Sequence, residues 1–588
     1  MYQSNLPLPR AYKALIDTTL GVLSFSKAGQ FALTWIAAAR MVALGTDPEL
    51  TNMADLNAHS SWIKLQKAGL PVDGMLSMFE PQSGGLPSPE KPVRIVTELQ
   101  KELGNAKWDI LPTIVSTRRP RSEDDVFNDV IPSVAELLLD LVGIPSESDL
   151  WLPFDRSGML TIRALRRGWK VNAAQMMGNT DTDALKLLLA IEYGTSNNPD
   201  VKTEILRDSD GYPSTKASNV IAIPPSSLRV QNTNLLQWGL AHGGTVEQFN
   251  RSELMAVYEL LHRVSERAVF LLPASVLFTS GQDQRLREFI LDKEYERRTL
   301  EAVIAMPVGV FLANSIASAA LVFDSSKGHI TRLVDLGVAK RSARDVEQTI
   351  LEGHDLALGL TEDVSRACFV TPDACRANDY VLSPSRYLAK KVTVGANAIP
   401  LGNLCELIRP PAQERGEEGE KAVEVGIQEL IMGGWNKLNG AFDKWVTLRP
   451  SGKGVVTLKG GDLLFSVKGT VGKVGLLKGL AQNKVVASQS CIGLRMLHSE
   501  KTVSPEYLLM YLRSEEGQAQ LDALKVGSTV QHINITTLLE SFQVPVPDQQ
   551  AQQLVVDDYV RLCNIEREIT QLEERCKTIT KSRWTMSC

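Results

Sequence analysis

Ala217-Ser218-Asn219-Val220-Ile221-Ala222-Ile223-Pro224-Pro225-Ser226 is the segment from which the architecture can be read. The apolar run 220–223 has the composition of a strand buried on both faces. The two prolines that follow cannot donate to a ladder, so the strand must pass into a loop there. Working outward, 150–153, 268–273, 300–305 and 319–323 predict further buried strands, and the spacing in 134–142, 183–193 and 284–294 predicts helices between them. Strand and helix patterns that alternate from 130 to about 327 predict a doubly wound α/β sheet.

The flanks read differently. Residues 1–125 carry helical spacing at 11–42 and again at 54–78, followed by a polar, basic loop at 116–122. A less regular stretch, 327–399, leads to a Glu-rich loop at 413–424, expected to be exposed. A β-rich part follows, with strands expected at 454–459 and 462–467. Residues 549–583 read as one long helix. Val555, Leu562, Ile569 and Cys576 repeat at one heptad site and Ile565, Leu572 and Ile579 at the other. This alternation of three and four predicts a coiled-coil seam; the competing reading is an amphipathic helix packed on its own domain.

A chain of 588 residues is too long for one core and implies three or four domains. Apolar content of 44% and charged content of 22% are those of an ordinary globular protein. No run of about 18 apolar residues occurs, so no membrane-spanning helix is expected. The first ten residues lack a basic region followed by an apolar core and predict no secretory signal. The seven cysteines form no CxxC pair, which argues against zinc and against a disulfide framework and for a reduced, cytoplasmic setting. Net charge is −5, yet residues 431–484 hold nine Lys or Arg against two acids, Asp443 and Asp462. Such a local excess suits a surface that contacts phosphates; a solvated face of a β-rich domain would look the same.

The order 267–278, 285–291 and 300–311, closing on Tyr380-Val-Leu-Ser-Pro-Ser-Arg-Tyr387, resembles the modification subunit of type I restriction-modification systems. Farther on, Gly461-Asp462, Gly469, Gly472 and Gly475, then Ser488-Gln489, 507–512, Gly527-Ser528-Thr529, His532-Ile533 and Val544-Pro545-Val546-Pro547 resemble half of a specificity subunit. The glycine spacing is not a phosphate loop of the nucleotide-binding kind, since no Gly-Lys-Ser/Thr accompanies it. The resemblance implies a mixed α/β protein in four parts. These are an N-terminal helical domain at 1–125, a Rossmann-like, doubly wound class I methyltransferase domain at 126–395, an α/β target recognition domain at 396–548 and a long coiled-coil helix at 549–588.

The family's adenine methylases carry Asn-Pro-Pro-Phe or Asn-Pro-Pro-Tyr after the fourth strand. This chain has Ile223-Pro224-Pro225-Ser226, and Ile offers no acceptor to an adenine amino group. Losing such a contact costs on the order of 100-fold or more in rate. The glycine-rich turn Asp-Pro-Ala-Cys-Gly-Ser-Gly-Gly becomes 152–159, in which Pro153, Ser157 and Gly158 match while Leu152, Arg156 and Met159 depart. Met177 stands at the acid expected to bind ribose, and Ile131-Pro132 replaces an upstream Thr-Pro. The joint pattern predicts a degenerate catalytic loop and no cofactor. The alternative is an active, diverged S-adenosylmethionine-dependent adenine methyltransferase. Pro153, Asp155, Ser157, Gly158 and Asp183 would then serve the cofactor, and Ser226 with the Pro-Pro carbonyls would hold the base.

The first expectation is therefore a sequence-specific DNA-binding specificity or scaffold subunit of a restriction-modification or related phage-defence system, working with an active methylase or nuclease. Lys459, Lys468, Lys473, Lys478 and Lys484 are the expected phosphate contacts on double-stranded DNA. Gln489, Ser528, Thr529, Gln531 and His532 are the polar candidates for reading bases, with loop-fixing hydrogen bonds as their competing role. Trp435 and Trp445 read as core or rim aromatics. Leu562, Ile565, Ile569, Leu572 and Ile579 would pair the helix with a second copy or with another subunit. A third possibility is a protein that blocks or titrates a methylase through that helix. No metal site is expected.

Overall fold

The structure is a computed structural model. It describes residues 7–19, 23, 25–56, 61–72, 89–117, 129–145, 148–155, 157–173, 183–202, 217–226, 249–292, 299–312, 315–325, 330–337, 343–388, 397–413, 420–430, 437–438, 444–449, 456–477, 484–497, 503–526 and 532–582. Contacts divide the chain into two compact units, Met1–Pro384 and Ser385–Cys588.

The first unit opens with helices α1 (Pro7–Asp17), α2 (Phe25–Leu44), α3 (Ser61–Lys67), α4 (Glu90–Leu103) and α5 (Leu111–Thr117). The expected helix at 54–78 is shorter. A 3-10 turn at Met53–Leu56 precedes α3, which ends where Gly69 takes φ +78° and the Leu70 amide reaches back to the Leu65 carbonyl. What remains of it, from 73 on, lies outside the described residues.

Among the described residues, nine strands form one sheet in the order β3-β2-β1-β4-β5-β7-β6-β8-β9. They are β1 (Leu150–Trp151), β2 (Val171–Asn172), β3 (Val201–Lys202), β4 (Ala217–Ala222), β5 (Val264–Pro273), β6 (Thr299–Ala305), β7 (Ser318–Asp324), β8 (Thr331–Asp335) and β9 (Ala367–Val370). The pairings from β3 through β5 are parallel, and β7 runs antiparallel between β5 and β6. Every residue of β7 is buried, as expected of a strand covered on both faces. Helices α6 (Pro132–Val142), α7 (Met159–Arg166), α8 (Asp183–Tyr193), α9 (Ser252–Leu261) and α10 (Gln282–Asp292) connect the strands. Side chains from α1, α2 and α4 share one apolar core with residues of α6, α8 and the sheet.

The stretch at 327–399, expected to be less regular, extends the sheet instead. It contributes β8, β9 and the helix α11 (Ala343–Glu352). Both strands are short, and β9 is an edge strand with Phe369 exposed, so neither has the continuous apolar run by which a buried strand is recognised.

One buried cation closes this unit. Arg287, on α10, donates from Nε to the Tyr380 carbonyl (2.7 Å) and from Nη1 to the carbonyls of Val276 (2.7 Å) and Thr279 (2.9 Å). Asp379 and Tyr380 both adopt left-handed backbone, at φ 53° and 56°, a conformation non-glycine residues avoid unless neighbours hold it. Arg287 supplies that hold from below, and a hydrogen bond from the Tyr380 hydroxyl to Asp292 supplies it from above.

In the second unit, β11 (Cys405–Ile408), β18 (Cys491–Met496), β15 (Leu463–Ser466), β16 (Val474–Leu477) and β13 (Lys437–Leu438) form a five-stranded sheet in that order. A three-stranded sheet joins β14 (Trp445–Leu448), β12 (Glu420–Val425) and β17 (Val485–Ala487), and β10 (Ala398–Pro400) pairs with β21 (Gln543–Pro545). A two-residue pair, β19 (Lys525–Val526) and β20 (His532–Ile533), completes the set. Residues 420–424 of the Glu-rich loop belong to strand β12, four of whose six residues are buried. Residues 456–459, expected in a strand, form none; the Leu458 amide bonds to the Val485 carbonyl and the Lys459 amide to the Asp462 carboxylate. Helices α12 (Pro505–Arg513), α13 (Glu515–Leu524) and α14 (Ile535–Ser541) pack on the sheet, and α15 (Gln549–Ser582) follows. No helix of the described residues is long and apolar enough to cross a membrane.

Truncating Arg287 to Ala leaves three carbonyls, that of Val276 buried, without their donor and releases the left-handed pair. The expected loss is about 3 kcal/mol of unfolding free energy. Chemical denaturation of wild type and variant checks it, and a change under about 1 kcal/mol would refute the role.

Candidate functional site

The strand order places the site. The chain winds outward from β1 through β2 to β3, then returns to the other flank of β1 with β4, so the direction of winding reverses between β1 and β4. In open α/β sheets, ligands bind outside the carboxyl ends of the strands at such a reversal. Leu150 pairs with Asn219 and Trp151 with Val220, which brings the loop after β1 and the loop after β4 to the same end of the sheet. A cleft of about 490 Å³, open solvent at its mouth included, lies there. Phe154, Asp155, Met159, Leu160 and Arg163 line it from the first loop and α7, Ile221 and Ile223 from β4 and its loop, and Val115, Asp129, Val130 and Ala135 from the segments above.

The polar side chains of the first loop are engaged with the protein. Asp155 Oδ2 accepts hydrogen bonds from the amide (2.6 Å) and hydroxyl (2.7 Å) of Thr161, which fastens the loop to the first turn of α7. Ser157 donates to Asp129 Oδ1 at 2.8 Å and lies 3.3 Å from Asp155 Oδ1. Gly158 has φ +73°, and a Cβ there would come within 2.9 Å of the Leu185 Cα, so its missing side chain admits α8. Pro153 is buried at the root of the loop. Asp183, in the first turn of α8, accepts from Gln30 Nε2 at 3.3 Å. Arg156 and Met177 lie outside the described residues.

In the loop after β4, Pro224 and Pro225 are buried, while Ile223 and Ser226 are partly exposed. The Ser252 hydroxyl, buried at the start of α9, donates to the Pro225 carbonyl at 2.6 Å. Behind it Arg251 binds both oxygens of Asp283 (2.9 and 2.7 Å) and reaches Glu253, itself fully buried. Burial pushes the Asp283 carboxyl above its ordinary range, against the pull of Arg251. Neither Ser252 nor Asp129 was among the expected site residues. A signal existed for the first, because a Ser followed by an acid and an apolar run marks a helix start. For Asp129 there was none, since its partner Ser157 is 28 residues away.

The second unit distributes the expected DNA contacts over two ends of its sheet. The turn from β15 to β16 carries Lys468 and Lys473; the Val467 and Lys468 amides bond to the Ser490 carbonyl, and Lys468 bridges to His532. Lys468, Lys473, Gln489 and His532 are thus gathered at one end. Lys459 and Lys484 are at the other, beside the bond from the Leu458 amide to the Val485 carbonyl. Lys484 is paired with Glu420, and Lys444 with Glu424. Gln489 donates to the Pro411 carbonyl at 2.7 Å, the loop-fixing role. Asp462 is buried, accepts from the Lys459 amide (2.7 Å) and holds Arg495 through both oxygens (2.9 and 2.7 Å). Trp445 is exposed on β14. Lys478, Ser528, Thr529, Gln531 and Trp435 lie outside the described residues.

The first part of α15 is packed: Tyr559 and Cys563 are buried in the core of this unit. Farther along the helix, Ile565, Ile569, Leu572 and Ile579 are 52–59% exposed, and Leu562 is half-buried.

Burial, opposed by hydrogen bonds from Thr161 and Ser157, raises the Asp155 carboxyl above its usual value. A raised carboxyl binds its proton more tightly in the folded chain than in the unfolded one. Stability should therefore fall as pH rises from the ordinary carboxylate range through the folded value. Asp155→Asn keeps the acceptor for Thr161 and removes the titration. Thermal unfolding across that window should show a flatter pH dependence in the variant, and identical curves would rule this out.

Residues 191–394 match the family described as N-6 DNA Methylase, and residues 402–575 match that described as Type I restriction modification DNA specificity domain. No curated protein matches the chain. Among solved structures, a type I restriction-modification system methyltransferase subunit from Streptococcus thermophilus is 13% identical with a TM-score of 0.44, covering 64% of this chain and 98% of its own. The type IIG restriction endonuclease BpuSI is 14% identical with a TM-score of 0.48, covering 95% of this chain and 75% of its own. A structure from an assembled type I restriction-modification system is 13% identical with a TM-score of 0.44, covering 65% and 91%.

Proposed function

We propose that this chain, which joins an N-6 DNA methylase segment to a type I restriction-modification specificity segment, is a sequence-specific DNA-binding specificity or scaffold subunit that carries out no methyl transfer itself. It would serve a restriction-modification or related phage-defence system in the cytoplasm, alongside an active methylase or nuclease. The observation that carries the reading is the loop after β4. An adenine amino group needs a side-chain acceptor at that loop, and Ile223 has none.

The cofactor side supports the same reading. S-adenosylmethionine needs close backbone approach at the turn after β1 and a carboxylate for its ribose. The glycine of that turn faces Leu185, Asp155 caps α7, and Asp183 is bonded to Gln30. These residues do not fit the cofactor. Titration calorimetry of the purified chain should give no binding heat with micromolar S-adenosylmethionine. A stoichiometric isotherm would overturn the inactive reading and favour the diverged methyltransferase.

Pairing through α15 completes the proposal. The exposed stripe Ile565, Ile569, Leu572 and Ile579 keeps the three-four spacing of a two-helix seam beyond the packed part of the helix. A second copy or a partner subunit would cover it, and two recognition units would then meet two half-sites on duplex DNA. Ile569→Asp should weaken association by about 3–5 kcal/mol, because it buries an unpaired charge. Sedimentation should show dissociation with unfolding of the single chain unchanged, and a wild-type profile would exclude the seam.

A further inference from the structure

The turn between β15 and β16 has a feature that neither lysine charge nor glycine spacing explains. Gly469 and Gly472 adopt φ +83° and +90°, and the turn is locked from inside. Ser466 Oγ donates to the Thr470 carbonyl (2.6 Å) and accepts from the Lys473 amide (2.9 Å). The Gly472 amide bonds to the Ser466 carbonyl (3.0 Å), and the Val471 amide to the Gly469 carbonyl (3.1 Å). Two successive amides, those of Gly469 and Thr470, have no acceptor among the described residues, and both residues are exposed. Successive amides around a left-handed residue form a concavity that binds anions.

The surrounding charge fits that use. Lys444, Lys484 and Arg495 are neutralised by Glu424, Glu420 and Asp462, respectively. Lys468 and Lys473 flank the two amides, and neither has a carboxylate partner among the described residues. An anion at the tip would receive two backbone donors from a turn that needs no rearrangement, with two cations beside it. We propose that the Gly469–Thr470 amides, with Lys468 and Lys473, form a binding site for one or two phosphodiester groups of duplex DNA. The site grips the backbone and sets the register of the recognition unit without reading bases. It rests on the DNA-binding reading above and assigns this turn a positioning role within it.

The test uses the full chain and a mixed-sequence duplex. Binding is measured against salt concentration, and the Gly469 and Thr470 amide resonances are followed during titration. In Lys468→Gln/Lys473→Gln the salt slope should become shallower by about 1.8. In Gly469→Ala, which keeps both charges but disturbs the turn, affinity should drop about tenfold or more at a nearly unchanged slope. Both amides should shift on duplex addition in the wild type, and inorganic phosphate alone should move the same two resonances. Duplex binding with unmoved amides, or with an unaltered slope in the double variant, would overturn the phosphate site and leave DNA binding standing. Absence of duplex binding by the wild type would overturn the DNA-binding reading itself.

Discussion

The parallel pairing of β1 with β4 is the constraint on which the first unit depends. Two residues of β1 pair with Asn219 and Val220 on one side and with Val171 and Asn172 on the other. Because the chain reverses its winding at this strand, the turn before α7 and the Pro-Pro loop must open onto one crevice. Every chemical question about this unit becomes a question about which atoms those loops present. They present apolar surface, Ile221, Ile223, Phe154 and Met159, with carboxylates that are already held by hydroxyl and amide donors.

A sheet of this order needs glycine at a tight turn for packing alone, and here Gly158 serves helix α8. The acid in the same turn accepts from the Thr161 amide and hydroxyl, which fastens the loop to α7. In the second unit a division occurs between cations. Arg495, Lys444 and Lys484 are balanced by acids within the unit. Lys468 and Lys473 sit on a turn whose internal hydrogen bonds hold it in one conformation, which lowers the cost of meeting an anion.

Much of the sheet was legible residue by residue. The runs around 220, 268, 300 and 319 became β4, β5, β6 and β7, and the helical patterns at 134–142 and 183–193 became α6 and α8. Strands buried on both faces advertise themselves by composition, and amphipathic helices by period. β8 and β9 escaped because short strands near an edge carry mixed residues, and β12 because its sequence, Glu-Lys-Ala-Val-Glu-Val, begins with exposed charges. In the candidate site, the altered loop Ile223-Pro224-Pro225-Ser226 was readable, but the fates of its neighbours were not. Ser252 meets Pro225 across 27 residues and Gln30 meets Asp183 across 153, distances over which no local pattern reports.

Residue order alone carries the strand and helix periods, the Ile223 that stands where the resemblance implies an acceptor, the excess of lysine between 431 and 484, and the three-four apolar stripe in 562–579. These are properties of residue type and spacing, which act through burial and backbone propensity over a few turns. Which lysines are neutralised, that Gln489 holds Pro411, and that part of the long helix is packed while the stripe beyond it is exposed were settled by tertiary contacts alone. Those outcomes depend on which side chains the sheets bring within about 3 Å of one another. Hydrogen bonds and ion pairs are short-ranged and directional, so partners far apart in the chain are chosen by the fold.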